Sequence, residues 1–350
     1  MKLHRWLLAL PLLLAAAPAL AQGEHGAIGT DPLAMWEFSP GIIIGLLLVS
    51  WIYWRGSRGG QVEKRWRTAS YFGGLFALFL ALISPIEPLA DHVFAVHQVE
   101  HILLGTVAPM LIFLSQPQAS FAGGLPPGAL RFFGGRSWLR APVAFLRLPP
   151  VATAIFLFAS IFWMIPKYHD MSILDEPFHH LWHISLVLTG LIFFSVVFGR
   201  HPPSHGPGLV PRLAMLAFAA LGNIVLGAFL TFKSVPLYHA YAALGHLWQV
   251  PMLTDEQAGG IIMWIPGSMM FAISALIVLY GRGGEEDRVT GQRASRSGAP
   301  AVGNPANRMV AFVLGACAVL MLLIAISVVA LIDHPPGGQH AFGMAGEIPG

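Results

Sequence analysis

The chain has a single cysteine, Cys317, set inside an apolar run near its end. That scarcity excludes an intrachain disulfide and any Cys-x-x-Cys metal or redox pair, and a lone thiol in such a run reads as a small apolar side chain. Charge is the second thing in short supply: Asp, Glu, Lys and Arg make up 11% of 350 residues, against 55% hydrophobic residues. A soluble domain carries roughly a quarter charged residues, and the mean hydropathy of +0.67 points the same way. The composition therefore excludes an ordinary soluble protein and indicates a polytopic membrane helix bundle, all-α in class.

The opening stretch, "MKLHRWLLALPLLLAAAPALAQG", has a basic start, a short apolar core broken by Pro11 and Pro18, and the small-x-small triplet Ala19-Leu20-Ala21. This pattern predicts a cleaved signal peptide over 1–21, followed by a short outer-face segment, 22–37. Apolar runs of near-spanning length follow at 38–55, 68–85, 97–115, 149–166, 179–198, 211–231, 258–280 and 309–332, which predicts about eight transmembrane helices. Seven of them form one membrane domain over 38–280. The stretch 281–308, rich in Gly, Ser, Ala and charge, reads as a flexible cytoplasmic linker to the eighth helix, with an outer-face tail over 333–350.

Lys and Arg are nearly absent from one side of this arrangement. After the signal peptide they fall in the loops 55–67, 116–148, 199–212 and 281–308, and the opposite side holds only Lys167 and Lys233. The positive-inside bias makes those four loops cytoplasmic and puts both the mature N-terminus and the C-terminus on the periplasmic side of the inner membrane. The pI of about 9.2 is thereby explained by topology, and a nucleic-acid partner is excluded in favour of the lipid bilayer.

The histidines are distributed the other way. Of the fifteen, His4 lies in the signal peptide and His201 and His205 are cytoplasmic, while the rest fall on or near the outer face. Two groups stand out: "HQVEH", with His97 and His101, opens the third helix, and "HHLWH", with His179, His180 and His183, opens the fifth. Residues four apart share a helix face, so each segment offers an imidazole pair about one turn into the membrane at the same height. Facing helices build metal sites in this way, and ionisable groups at that depth are functional by default.

Met164 and His169 at the end of the fourth helix, and Asp255 and Met263 at the start of the seventh, lie at the same level. Imidazole and thioether together suit Cu(I) better than zinc or magnesium. The predicted metal ligands are accordingly His97, His101, His179 and His183, with Met263 or Met164 as thioether donor. Glu100, Asp255 and His180 are expected to support them, the acids by fixing imidazole orientation.

At these residues the chain resembles the multi-span CtaG family of cytochrome c oxidase assembly factors, the Caa3_CtaG-like proteins of caa-type oxidase assembly. The blocks that carry the resemblance are "HQVEHILLGTVAP", "WMIP", "HHLWHISLVLTGL", "PLYHAY" and "LTDEQAGGIIMWIPGS", in that order. One departure is Met164, where many members have histidine in W-H-x-P. The resemblance implies a non-enzymatic assembly factor that helps mature an oxidase copper centre, with oxidase subunits or their copper chaperones as partners.

Other readings stay open from sequence alone. A haem carrier would use the two histidine pairs as axial ligands. A copper permease would need donors through the inner half of the membrane, where few exist. "HQVEH" also matches the H-x-x-E-H pattern of a zinc metalloprotease, with Glu100 as base, although that leaves "HHLWH" unexplained.

Overall fold

The computed structural model describes residues 36–58, 65–129, 137–199, 207–245 and 250–297, and every regular element among them is helical. The principal helices are α1 (Pro40–Arg58), α2 (Arg65–Leu82), α3 (Phe94–Leu114), α4 (Pro149–Phe162), α5 (Pro166–Leu174), α6 (Glu176–Val197), α7 (Leu209–Phe232) and α8 (Met252–Ser297). Five of these, α1, α3, α6, α7 and the Met252–Gly281 part of α8, are long and apolar enough to cross a membrane. A sixth crossing results if α4 and α5 are taken as one span bent by 73°.

The expected count of eight is therefore not confirmed among the described residues. α2 is a helix, but Arg65 and Arg67 in its first turn and the Gly73-Gly74 pair dilute its hydropathy. The run 309–332 lies outside the described residues, as do the expected signal peptide, most of the segment 22–37 and the tail. α8 continues as helix to Ser297, into the stretch whose composition suggested a flexible linker.

Proline places the breaks. Pro166 has no N–H to donate and forces the residue before it out of the helical region; Ile165 is extended at φ −67° and ψ 122°. The apolar run 149–166 accordingly does not continue straight but turns at Trp163-Met164-Ile165-Pro166. In α3, Pro109 follows a π-helical turn over Leu103–Val107. Such a widened turn relieves the clash of a proline ring with the carbonyl one turn earlier.

Two close approaches set where the helices cross. A Cβ on Gly190 of α6 would be driven into the backbone oxygen of Gly105 and would lie 2.9 Å from Pro109 Cγ, both on α3. A Cβ on Gly259 of α8 would be driven into the Phe94 ring at the start of α3. α3 is thus pressed between α6 and α8, with the starting ends of all three helices together. Two buried clusters fill the bundle. The larger one includes Tyr53, Tyr71, Phe113, Phe193 and Phe271 in the body of the bundle. The smaller gathers Phe94, Trp163, Trp182, Tyr238, Tyr241 and Met263 around the helix starts.

The Gly190 contact is backbone against backbone and cannot be relieved by a rotamer change. Gly190→Ala is expected to cost about 1–3 kcal/mol by overpacking, read as a lowered unfolding temperature of the detergent-solubilised protein.

Candidate metal centre

The helix starts are fixed before the site is. α3 begins after the extended Val93, whose side chain cannot cap it. The first N–H groups of a helix have no internal partner, and here Asp255 of α8 supplies one: its carboxylate accepts from the N–H of Phe94 at 2.7 Å and of Ala95 at 3.0 Å. α6 carries its own cap, with Asp175 accepting from the N–H of Phe178 at 3.1 Å and Pro177 in the first turn. Asp255 thus sets the register of His97, and Asp175 that of His179.

Four side chains converge in the space between α3 and α6. One ligand atom from each of His97, Glu100, His179 and His183 lies within 4.8 Å of the others, and all four residues are buried. His179 Nε2 is 3.0 Å from His183 Nε2. His183 Nε2 in turn is 3.2 Å from Glu100 Oε1, a charged contact only if that imidazole is protonated. His97 stacks on His179 with ring centroids 5.5 Å apart. His97 Nε2 and both Glu100 oxygens are buried without a hydrogen-bond partner.

A buried carboxylate beside neutral imidazoles is costly, and a cation between the groups would offset that cost. Three imidazole nitrogens and one carboxylate oxygen form a donor set that fits a divalent transition metal such as Cu(II) or Zn(II). No sulfur belongs to this set.

The other ring nitrogens are held from behind. The break before Pro166 frees two carbonyls: Trp163 O is 3.2 Å from His169 Nδ1, and Met164 O accepts from the Tyr238 hydroxyl at 2.9 Å. His169 Nε2 is 2.8 Å from the Tyr241 hydroxyl, which is 2.7 Å from His97 Nδ1. The directions of these bonds follow from one acceptor. A carbonyl can only accept, so a neutral His169 bears its proton on Nδ1 and accepts at Nε2 from Tyr241. The Tyr241 oxygen then accepts from His97 Nδ1–H, which leaves the His97 Nε2 lone pair aimed at the cluster. Burial, reinforced by the carboxylates of Asp255 and Asp91, pushes the Tyr241 phenol well above its ordinary range, so it remains a donor.

Carboxylates anchor the rest of this second tier. His179 Nδ1 is 3.6 Å from Asp91 Oδ1, which turns its Nε2 inward. Asp170 accepts from the N–H of Ala240 at 3.2 Å, at the start of the short helix Ala240–Leu244 that carries Tyr241. Glu256 pairs with Lys233 and accepts from the N–H of Leu237 and Tyr238, holding the loop that leads to that helix.

Among the sequence-predicted residues, His97, His179 and His183 come together. Glu100, expected to orient imidazoles, stands in the donor set itself. His101 lies beside the four, its ring 4.1 Å from His97 and 5.8 Å from His183 by centroids. Its Nε2, like that of His97, has no hydrogen-bond partner. Met164 and Met263 are buried but line a separate cavity that also reaches His101. Asp255 acts on the helix start rather than directly on a ring, and His180 is half-buried 3.6 Å from Glu176 on its own helix. Sequence reasoning missed Asp91 and Tyr241. "PLYHAY" was singled out as a block, but nothing in its spacing identifies its last tyrosine as a partner of His97.

A family model described as "Cytochrome c oxidase caa3 assembly factor (Caa3_CtaG)" matches residues 47–282. No curated protein and no solved structure matches the chain.

Tyr241→Phe keeps the ring and removes both hydrogen bonds, freeing His97 to change tautomer or rotate. Outer-shell partners of this kind are worth about 10–100-fold in metal affinity. A loss in that range is expected in chelator competition with Zn(II), with helical content unchanged by circular dichroism.

Proposed function

We propose, since this chain belongs to the family of cytochrome c oxidase caa3 assembly factors, that it binds copper at His97, Glu100, His179 and His183 and assists maturation of an oxidase copper centre. The observation that carries this reading is the Glu100 carboxylate, fully buried among imidazoles with neither oxygen hydrogen-bonded. Copper is cargo in this account, and the oxidase subunits or their copper chaperones are the partners it passes between. Imidazole sites hold Cu(II) most tightly among the first-row divalent ions.

The proposed exchange requires the site to face the periplasm. The helix starts that carry it lie on the side nearly free of Lys and Arg, which the positive-inside bias assigns to the periplasm of a cell inner membrane. That side is also the one with the imidazoles and most of the carboxylates, a distribution that favours metal cations. The peptidase reading would use Glu100 as a base acting on a water beside two ligands. A non-enzymatic role accounts for more of the arrangement, because it uses Glu100 as a donor and gives His179 and His183 a purpose.

Glu100→Gln separates charge from shape. Removing the buried anion should leave the metal-free protein as stable or more stable in thermal unfolding, while lowering Cu(II) and Zn(II) affinity by at least about tenfold. In a deletion strain complemented with Glu100→Gln or His183→Ala, the assembled oxidase should carry less copper than with the wild-type chain. Undiminished metal binding in both purified variants would contradict the assignment.

A further inference from the structure

The cluster between α3 and α6 does not use all the donors at this level. One turn further along α3, a small, partly open cavity is lined by His101, Met164 and Met263, together with Gln98, Asn223 and Trp182. Met164 comes from the break after α4 and Met263 from α8, so three separate elements contribute the three soft or borderline donors. All three residues are buried, His101 to 8%, Met164 to 6% and Met263 to 8% exposure. His101 Nε2 has no hydrogen-bond partner, and neither has the buried amide nitrogen of Gln98 beside it.

Ordinary core packing does not account for this combination. A core methionine fills space, yet here two of them border open volume. A buried imidazole nitrogen without a partner costs free energy, yet the residue that carries it lines that same cavity. The wall behind Met164 is also built rather than loose: the Tyr238 hydroxyl donates to its backbone oxygen at 2.9 Å and lies 3.9 Å from its sulfur. On the other side of the cavity, Trp182 packs against His101 with ring centroids 4.1 Å apart.

We propose that this cavity is a second metal subsite, selective for Cu(I), with His101 Nε2 and the thioethers of Met164 and Met263 as its donors. The chemistry of the two sites then differs in kind. Three imidazoles and a carboxylate favour a divalent ion, whereas two thioethers and one imidazole, with no anion, favour a soft monovalent one. α3 contributes to both, His97 and Glu100 to the first and His101 to the second. The inference stands on residues outside the four-donor set and does not require that set to bind metal.

The test uses the full-length protein in detergent, under anaerobic conditions, with Cu(I) presented by a competing chelator and Zn(II) titrated separately. The wild-type protein should take up Cu(I) with sulfur in its coordination shell by X-ray absorption at the copper edge. Met164→Leu combined with Met263→Leu keeps volume and apolarity. It should abolish the sulfur signal and weaken Cu(I) at least about tenfold, since even a residue that only supports a ligand is worth about 10–100-fold, while Zn(II) stoichiometry is unchanged. Glu100→Gln should do the reverse, weakening Zn(II) and retaining the sulfur-ligated Cu(I). A wild-type Cu(I) shell without sulfur, or one that the double variant leaves unaltered, overturns the second subsite without touching the first. Loss of Zn(II) binding together with Cu(I) in the double variant also overturns it, since the two sites would then not be separate.

Discussion

An acid is buried among bases, with the His183 imidazole 3.2 Å away, and the rest of this end of the bundle is arranged around that fact. Glu100 is fully enclosed and its oxygens accept no hydrogen bond, while three imidazoles present ring nitrogens to the same small space. Burying an ion costs several kcal/mol even after relaxation, so an ionised carboxylate persists there only where something offsets it. A bound cation would do so for all four side chains at once: it would neutralise the carboxylate, take the His97 lone pair and lie between the Nε2 atoms of His179 and His183, which face each other at 3.0 Å.

Holding those four groups together requires two helices to approach more closely than side chains normally allow. Gly190 against Gly105 provides that between α6 and α3, and Gly259 against Phe94 brings α8 to the same place. Once α8 is there, its acidic pair is used twice. Asp255 caps α3, and Glu256 fixes the loop that leads to Tyr241. The kink at Pro166 joins the same system, because the carbonyl it frees at Trp163 sets the direction of the hydrogen bonds through His169 and Tyr241 to His97. Packing, capping and tautomer are therefore linked in sequence, from glycine contacts to a ring nitrogen.

Much of this was legible in the chain itself. Apolar runs located the helices of the bundle, the spacing of His97 with His101 and of His179 with His183 gave two facing pairs, and the charge asymmetry put both at one end. What was not legible depends on tertiary distance. Glu100 is three residues after His97 and so on the same face, but whether it supports a ring or joins the donors depends on how far α6 stands from α3. His101 and the two methionines look like members of one ligand set in sequence, because depth along a helix can be read there and rotation of neighbouring helices cannot. Asp91 and Tyr241 come from connections between helices, where no periodicity marks them. The bend is of the same kind: the run 149–166 runs into a break of 73° that hydropathy alone does not register.

The central claim is that a cation belongs between His97, Glu100, His179 and His183. Anomalous-difference density from crystals of the metal-loaded protein, collected at the copper and zinc edges, tests it most directly. The account predicts a peak bonded to His97 Nε2, the Glu100 carboxylate and the Nε2 atoms of His179 and His183. Density without a metal there, with Glu100 instead hydrogen-bonded to a water or to a protonated His183, would contradict it.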